Sequence, residues 1–257
     1  MLSIATLQLV LIGFVVGIVV ISMGGGGAAI YLGVLTTVAH LNPQIAATTS
    51  LVTALPSLMI GAGSYLYRGK VNLKVGNQML LTALPAVIVG SLLAPYIPQT
   101  FYRWVVGLIL ILLGVQMFFQ KSNKTSEVIE SHNTLKASGF GIISGLMVGV
   151  AGLSGGGPVL AGLLLLGLDT FTATATSTYV LVGTGVVGMF FHLTTSSVDW
   201  NAGLGLMAGA LIGAVAAPFL MNKLSQRNNR NGTHRSIFKP LMAILLIFMG
   251  IRTIASF

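Results

Sequence analysis

Apolar residues fill ten stretches of the chain, roughly 5–22, 28–40, 44–67, 75–97, 101–120, 138–154, 158–168, 171–196, 201–221 and 237–255, divided by short polar or glycine-rich breaks. Runs of about 20 apolar residues are long enough to cross a hydrocarbon core as helices. The second stretch of each set of five, at about 11–13 residues or less than 20 Å, is not. Each short stretch follows a glycine cluster, Gly24 to Gly27 in the first set and Gly155 to Gly157 in the second. Glycine loses the most backbone freedom on ordering, so these clusters predict helix breaks. The first two stretches of each set therefore read as a broken helix pair or re-entrant hairpin. Irregular backbone at that depth requires protein or water around it. Met1 to Val20 lacks a basic leader region and a small-residue cleavage site, and reads as a retained membrane segment.

The pattern occurs twice. Met23-Gly24-Gly25-Gly26-Gly27-Ala28 returns as Leu153-Ser154-Gly155-Gly156-Gly157-Pro158. Ala47-Thr48-Thr49-Ser50 returns as Thr174-Ala175-Thr176-Ser177, and Gly90 to Pro95 returns as Gly213 to Pro218. The predicted organisation is a first transmembrane repeat over 1–120, a polar linker over 121–137 and a second repeat over 138–257. Paired breaks in duplicated halves are the arrangement by which secondary transporters build a site near the bilayer midplane.

Composition agrees with a membrane solvent. Hydrophobic residues make up 54% of the chain and charged residues 7%, against about 25% charged in a soluble domain. Cysteine is absent, which excludes disulfides, thiolate catalysis and cysteine-bound metals. No cofactor or metal is implied.

The net charge of +9 is explained by topology. Arg68, Lys70, Lys74, Lys121, Lys124, Lys136, Lys223, Arg227, Arg230, Arg235 and Lys239 fall on one side if each half has a same-side hairpin and three crossings. Only Arg103 and Arg252 fall on the other. By the positive-inside rule the basic loops are cytoplasmic, both termini are outside, and the halves are inverted. Scattered over short loops without an aromatic platform, these bases exclude a nucleic-acid partner.

The ordered set of motifs, glycine-rich breaks, an Ala-Thr-Thr-Ser or Ala-Thr-Ser helix, a Val-Asn-Leu or Val-Asp-Trp loop and a Gly-x-x-x-Ala-Pro helix, resembles the sulfite exporter TauE/SafE family over nearly the whole chain. The resemblance implies a plasma-membrane transporter of a prokaryote, with substrates in the class of sulfite, thiosulfate, sulfoacetate and other small anions. The halves differ at Asn72-Leu73 against Asp199-Trp200, and at Ala28 against Pro158.

The residues themselves favour an anion. Glu127, Glu130, Asp169 and Asp199 are the only acidic residues, and all fall in loops or at segment ends. Without a deep Lys or Arg, the donors would be backbone amides at the start of the half-helices, together with hydroxyls. The candidate substrate-binding set is Gly25, Gly26, Gly27, Thr48, Thr49 and Ser50 in one half. In the other it is Gly155, Gly156, Gly157, Pro158, Thr176, Ser177 and Tyr179, with Thr174 and Thr178 as further hydroxyls. Bulk at Gly26 or Gly156 is expected to abolish transport.

Duller roles compete with each of these. Isolated glycines such as Gly107 and Gly209 serve close helix contact, and single hydroxyls bond their own helix four residues back. His40 and His192 read as interfacial, His192 with a coupling role as the alternative. Tyr31, Tyr65, Tyr67, Tyr96, Tyr102, Trp104 and Trp200 read mostly as interfacial belt residues.

The expected fold is all-α, polytopic, and built of two inverted repeats, each a glycine-broken pair followed by three transmembrane helices. The expected function is secondary transport of a small anion by alternating access, with a lipid bilayer around it and a proton or sodium ion as candidate coupling partner. An anion channel, a transporter of a non-sulfur organic anion and an accessory membrane subunit are the alternatives. No residue cluster at catalytic spacing supports an enzyme.

Overall fold

A computed structural model describes residues 4–23, 27–98, 134–152 and 155–228, with scattered helical positions in 100–115 and 244–255. Gly24, Gly25, Gly26, Tyr102, Glu127, Glu130 and Ser154, and nearly all of the expected linker, lie outside the described residues. The described chain is helical throughout, without a strand: α1 (Ile4–Met23), α2 (Gly27–Thr37), α3 (Pro43–Tyr67), α4 (Leu73–Leu93) with a closing 3-10 turn (Ala94–Tyr96), α5 (Thr134–Ala151), α6 (Gly156–Leu165), α7 (Thr170–Thr195) and α8 (Trp200–Asn228).

Local chemistry sets these boundaries. Pro43 opens α3 at a position where its missing N–H costs nothing. Asp169 caps α7, its carboxylate accepting from the amides of Phe171 (3.0 Å) and Thr172 (3.1 Å). Hydrogen bonding from the Thr172 side chain, then from its amide, holds this exposed carboxyl below the usual range. The helix α8 continues to Asn228, beyond the apolar limit near 221, because Lys, Gln and Arg are good helix formers that end apolar character without ending the helix.

Helix packing is reciprocal between the halves. The helix α1 packs along α8, and with the halves exchanged α5 packs along α4. The same exchange relates α3 on α8 to α7 on α4, and α2 on α3 to α6 on α7. A further pair, α3 with α7, consists of equivalent helices. They run antiparallel: Leu55 faces Gly185, Leu51 faces Gly188, and the rings of Tyr65 and Phe171 meet edge to face at 5.7 Å.

Polarity is distributed for lipid. Leu81 is 74% exposed, and Leu7, Leu11, Val15, Phe190, Leu204 and Ile212 also point outward. Hydroxyls fill the interior instead, with Thr48, Thr49, Ser50, Thr53, Ser57, Ser91, Ser144, Thr176, Ser177 and Thr184 fully buried. Among the described residues, the helices at Pro43–Tyr67, Leu73–Tyr96 and Phe171–Thr195 are long and apolar enough to cross a membrane.

Backbone contact substitutes for hydrophobic driving force between the helices. Gly209 of α8 lies directly on the Val10 carbonyl and Phe14 amide of α1, while Gly145 of α5 lies on the Ala83 carbonyl of α4. Gly107 likewise faces the Gly250 carbonyl. Close contact is thus the role of Gly107 and Gly209. Replacing Gly209 by Leu is expected to separate α1 from α8 at a cost of about 3 kcal/mol. A lowered melting temperature in detergent, with a loss of the monodisperse species, checks it.

Candidate functional site

The antiparallel pair α3 and α7 forms the centre, and its hydroxyls fall into two groups. Thr48 donates to the Gln44 carbonyl (3.2 Å), Thr178 to the Thr174 carbonyl (2.9 Å) and Thr184 to the Val180 carbonyl (3.1 Å). These are bonds within one helix, the ordinary fate of a hydroxyl in an apolar helix.

Thr49 and Thr176 behave differently. The backbone N–H of Asp199 donates to Thr49 Oγ1 (3.1 Å), and the backbone N–H of Asn72 donates to Thr176 Oγ1 (2.9 Å). Each hydroxyl therefore holds the start of a helix belonging to the opposite half. The side chains of Asn72 and Asp199 cap those helices alike, accepting from Val75 (3.2 Å) and Ala202 (3.0 Å). Asn and Asp thus do the same work, although the two loops differ in sequence. Thr53 adds a bond to the Gly203 carbonyl at 3.4 Å.

The second glycine break lies beside this centre. Helix α5 ends at Ala151, and Gly152 follows at φ +63°, where any Cβ would strike Ala47 of α3. Ser50 donates to the carbonyls of Ala47 (2.8 Å) and Gly152 (3.2 Å), tying α3 to the break. Gly155 is the residue before α6, left-handed at φ +53° and without a side-chain cap. Pro158 brings no amide, so Gly156 and Gly157 are the first-turn residues whose N–H groups α6 itself does not bond. Gly27 opens α2 in the first half.

Among the described residues, four buried hydroxyls have no hydrogen-bond partner: Tyr31, Ser91, Ser144 and Ser177. The Tyr31 oxygen lies near the Ser57 side chain but without bonding geometry. Tyr31 is wholly buried, which corrects its expected place in a lipid-facing belt, whereas Tyr67, at 95% exposure, and Tyr96, Trp104 and Trp200 are exposed. His192 is also buried at 2% exposure, not interfacial. Its Nε2 lies 3.3 Å from the Val148 carbonyl and so carries the proton in that bond. Tyr179 turns away from the α3/α7 centre and donates to Asn77 Oδ1 at 2.8 Å. Ser91, Ser144 and Tyr31 are absent from the sequence-derived set; the signal that could have found the serines is a lone hydroxyl within an apolar run.

Two clefts border the centre. One, narrow and apolar, lies between the halves, lined by Ala28, Leu51, Leu58, Val148, Leu181 and Gly185 among others. The other, equally narrow, is lined by Gln44, Ala94, Pro95, His192, Thr195 and Ser196. Among the described residues no three His, Cys, Asp or Glu side chains gather at metal-binding spacing. The chemistry on offer is neutral hydrogen-bond donation in a dry interior.

Comparison with known proteins decides the family. The profile described as Sulfite exporter TauE/SafE matches residues 9–253. The chain belongs to the sulfite exporter TauE/SafE family. It is a membrane transporter of that family, in agreement with the names of its relatives. The probable membrane transporter protein YdhB of Bacillus subtilis (strain 168) is 25% identical over 217 residues, covering 80% of this chain and 88% of the relative. The probable membrane transporter protein ORF9 of Sinorhizobium sp is 28% identical over 244 residues, or 91% of this chain and 87% of the relative. A shorter match, 30% over 148 residues, reaches an undecaprenyl-diphosphatase of Persephonella marina (strain DSM 14350 / EX-H1), with 55% of this chain and 58% of that protein covered. The TauE/SafE match runs over residues 9–253, and the two transporter relatives cover 80% and 91% of the chain against 55% for the enzyme match.

Proposed function

We propose that this TauE/SafE chain is a secondary transporter of small sulfur-containing anions, of the sulfite, thiosulfate and sulfoacetate class, working by alternating access between two inverted repeats. The observation that carries the reading is the buried hydroxyl-rich centre beside a glycine break with free amides. Among the described residues, buried hydroxyls such as those of Ser144 and Ser177 are left without partners there, and no Lys, Arg, Asp or Glu is buried. Neutral donors suit turnover, because a fixed buried charge would hold an anion too firmly to release it. The family description supplies the sulfur chemistry.

The repeats are 1–120 and 138–257, joined by 121–137, and the antiparallel course of α3 and α7 supports their inversion. The protein sits in a prokaryotic plasma membrane with its basic loops cytoplasmic and its termini outside. Gly25, Gly26, Gly27, Thr48, Thr49, Ser50, Gly155, Gly156, Gly157, Pro158, Thr176, Ser177 and Tyr179 remain the proposed substrate-binding set. Thr49 and Thr176 also hold the halves together. A proton or sodium ion supplies the coupling gradient.

Purified protein in proteoliposomes is expected to take up labelled sulfite, thiosulfate or sulfoacetate saturably, and a pH or sodium gradient to alter the rate. Folded protein that carries none of the three sinks the sulfur-anion reading. Conductance far above carrier turnover would replace the carrier by a channel.

A further inference from the structure

Ser144 is the side chain that turns the second glycine break from a bend into a site. Its hydroxyl is fully buried and has no hydrogen-bond partner. A serine inside an apolar helix normally bonds a carbonyl of its own helix, and this one does not. It faces Gly155, the residue before α6, so closely that a Cβ there would overlap Ser144 Oγ and come 3.1 Å from Val148 Cγ2. Gly155 is thus required twice, by its left-handed φ of +53° and by the hydroxyl opposite it. Only hydrogen at that position leaves the serine oxygen open to the break.

The hydroxyl therefore converges on a ten-residue helix whose first amides are uncapped. Ser91, Ser177 and Tyr31 are equally unpartnered among the described residues, but the close approach to the residue just before α6 is seen for Ser144. An unpaired buried hydroxyl costs free energy, and a hydrogen-bonding ligand removes that cost.

We infer that Ser144 Oγ–H and the N–H groups of Gly156 and Gly157 form a cradle for one oxygen of a singly charged oxyanion, with Ser144 as a substrate-contacting residue. The proposal rests on the anion-transport reading and names the acceptor site within it. The positive end of a helix carries roughly half an elementary charge, and the cradle holds no Lys or Arg. It suits a single negative charge spread over several oxygens better than two.

The test uses the full chain in proteoliposomes with labelled sulfite as substrate, and methanesulfonate or sulfate as competitor. Ser144→Ala is expected to raise KM for sulfite by about tenfold, as for loss of a hydrogen bond to a charged acceptor, with Vmax changed by less than about twofold. Competition by methanesulfonate should weaken in parallel, and Ser144→Thr, which keeps the hydroxyl, should restore most of the affinity. Ser91→Ala, which removes another unpartnered buried hydroxyl, should leave KM unchanged. An unaltered KM in Ser144→Ala, or a fall in Vmax and melting temperature with KM constant, would overturn the cradle while sparing the transport reading. If the wild type carries none of sulfite, thiosulfate and sulfoacetate, the sulfur-anion reading falls, and thermal stabilisation by methanesulfonate decides the cradle separately. Stabilisation lost in Ser144→Ala upholds the cradle; absent or undiminished stabilisation removes it.

Discussion

Gly155→Leu is expected to reduce the initial rate of sulfite uptake by at least about 100-fold. Two costs combine at this position. A side chain at φ +53° is strained by about 1–2 kcal/mol. Its Cβ would also occupy the space of the Ser144 hydroxyl, covering the start of α6. The second effect falls on function more than on folding, because it blocks a hydroxyl that pairs with no other group among the described residues. Gly63→Leu is the matched control, since nothing lies within 4 Å of a Cβ built there. Rates should be compared at equal amounts of monodisperse, inserted protein. Near-normal flux in Gly155→Leu would mean that the break only bends the chain.

The second large effect is expected at the hydrogen bonds that join the halves. Thr49→Val keeps the shape of the side chain but removes the acceptor for the Asp199 amide; Thr176→Val does the same to the Asn72 amide. Each loss leaves a partly buried N–H unpaired and should destabilise the protein by about 1–2 kcal/mol. The two sites lie toward opposite ends of the α3/α7 pair: Thr176 falls opposite about residue 61 of α3, roughly 18 Å along the helix from Thr49. The double variant should therefore show the sum of the single effects, with a coupling below about 0.5 kcal/mol. Uptake should fall in both single variants and nearly vanish in the double. Thermal melts of the four proteins in one detergent, read beside their flux, check both statements. Unequal single effects would show that the two halves do not share the load as their geometry implies.

Much of this architecture is legible in the residues, for identifiable reasons. Pro43, Asp169 and the glycine clusters are strong local signals, so helix starts fall within a few residues of their expected places. Duplication is visible because Ala47 to Ser50 and Thr174 to Ser177 repeat in order. Burial is harder to read. In water, the apolar face of a helix marks its packed side, but in a bilayer the lipid side is apolar too. Nothing in the sequence therefore separates Tyr31, which is buried, from Tyr96, which is exposed. His192 is misplaced for the same reason, since its position near a helix end says nothing of the Val148 carbonyl from α5. Ser144 is hidden by distance along the chain, because its meaning comes from Gly155, across the bend. Thr49 and Thr176 are found by sequence, yet their amide partners in the opposite half are not, because those pairings span 150 and 104 residues.

The antiparallel course of α3 and α7 gives each end of the pair one latch, made from a threonine of one half and a helix start of the other. In a carrier that rocks about the middle of this pair, prying the helices apart at one end presses them together at the other. Stretching the Thr49 contact then tightens the Thr176 contact, and the reverse stroke exchanges them. Two gates worked by one lever cannot stand open together. Under the alternating access proposed above, one motif present in both halves is thereby enough to keep such a membrane from leaking through its own transporter.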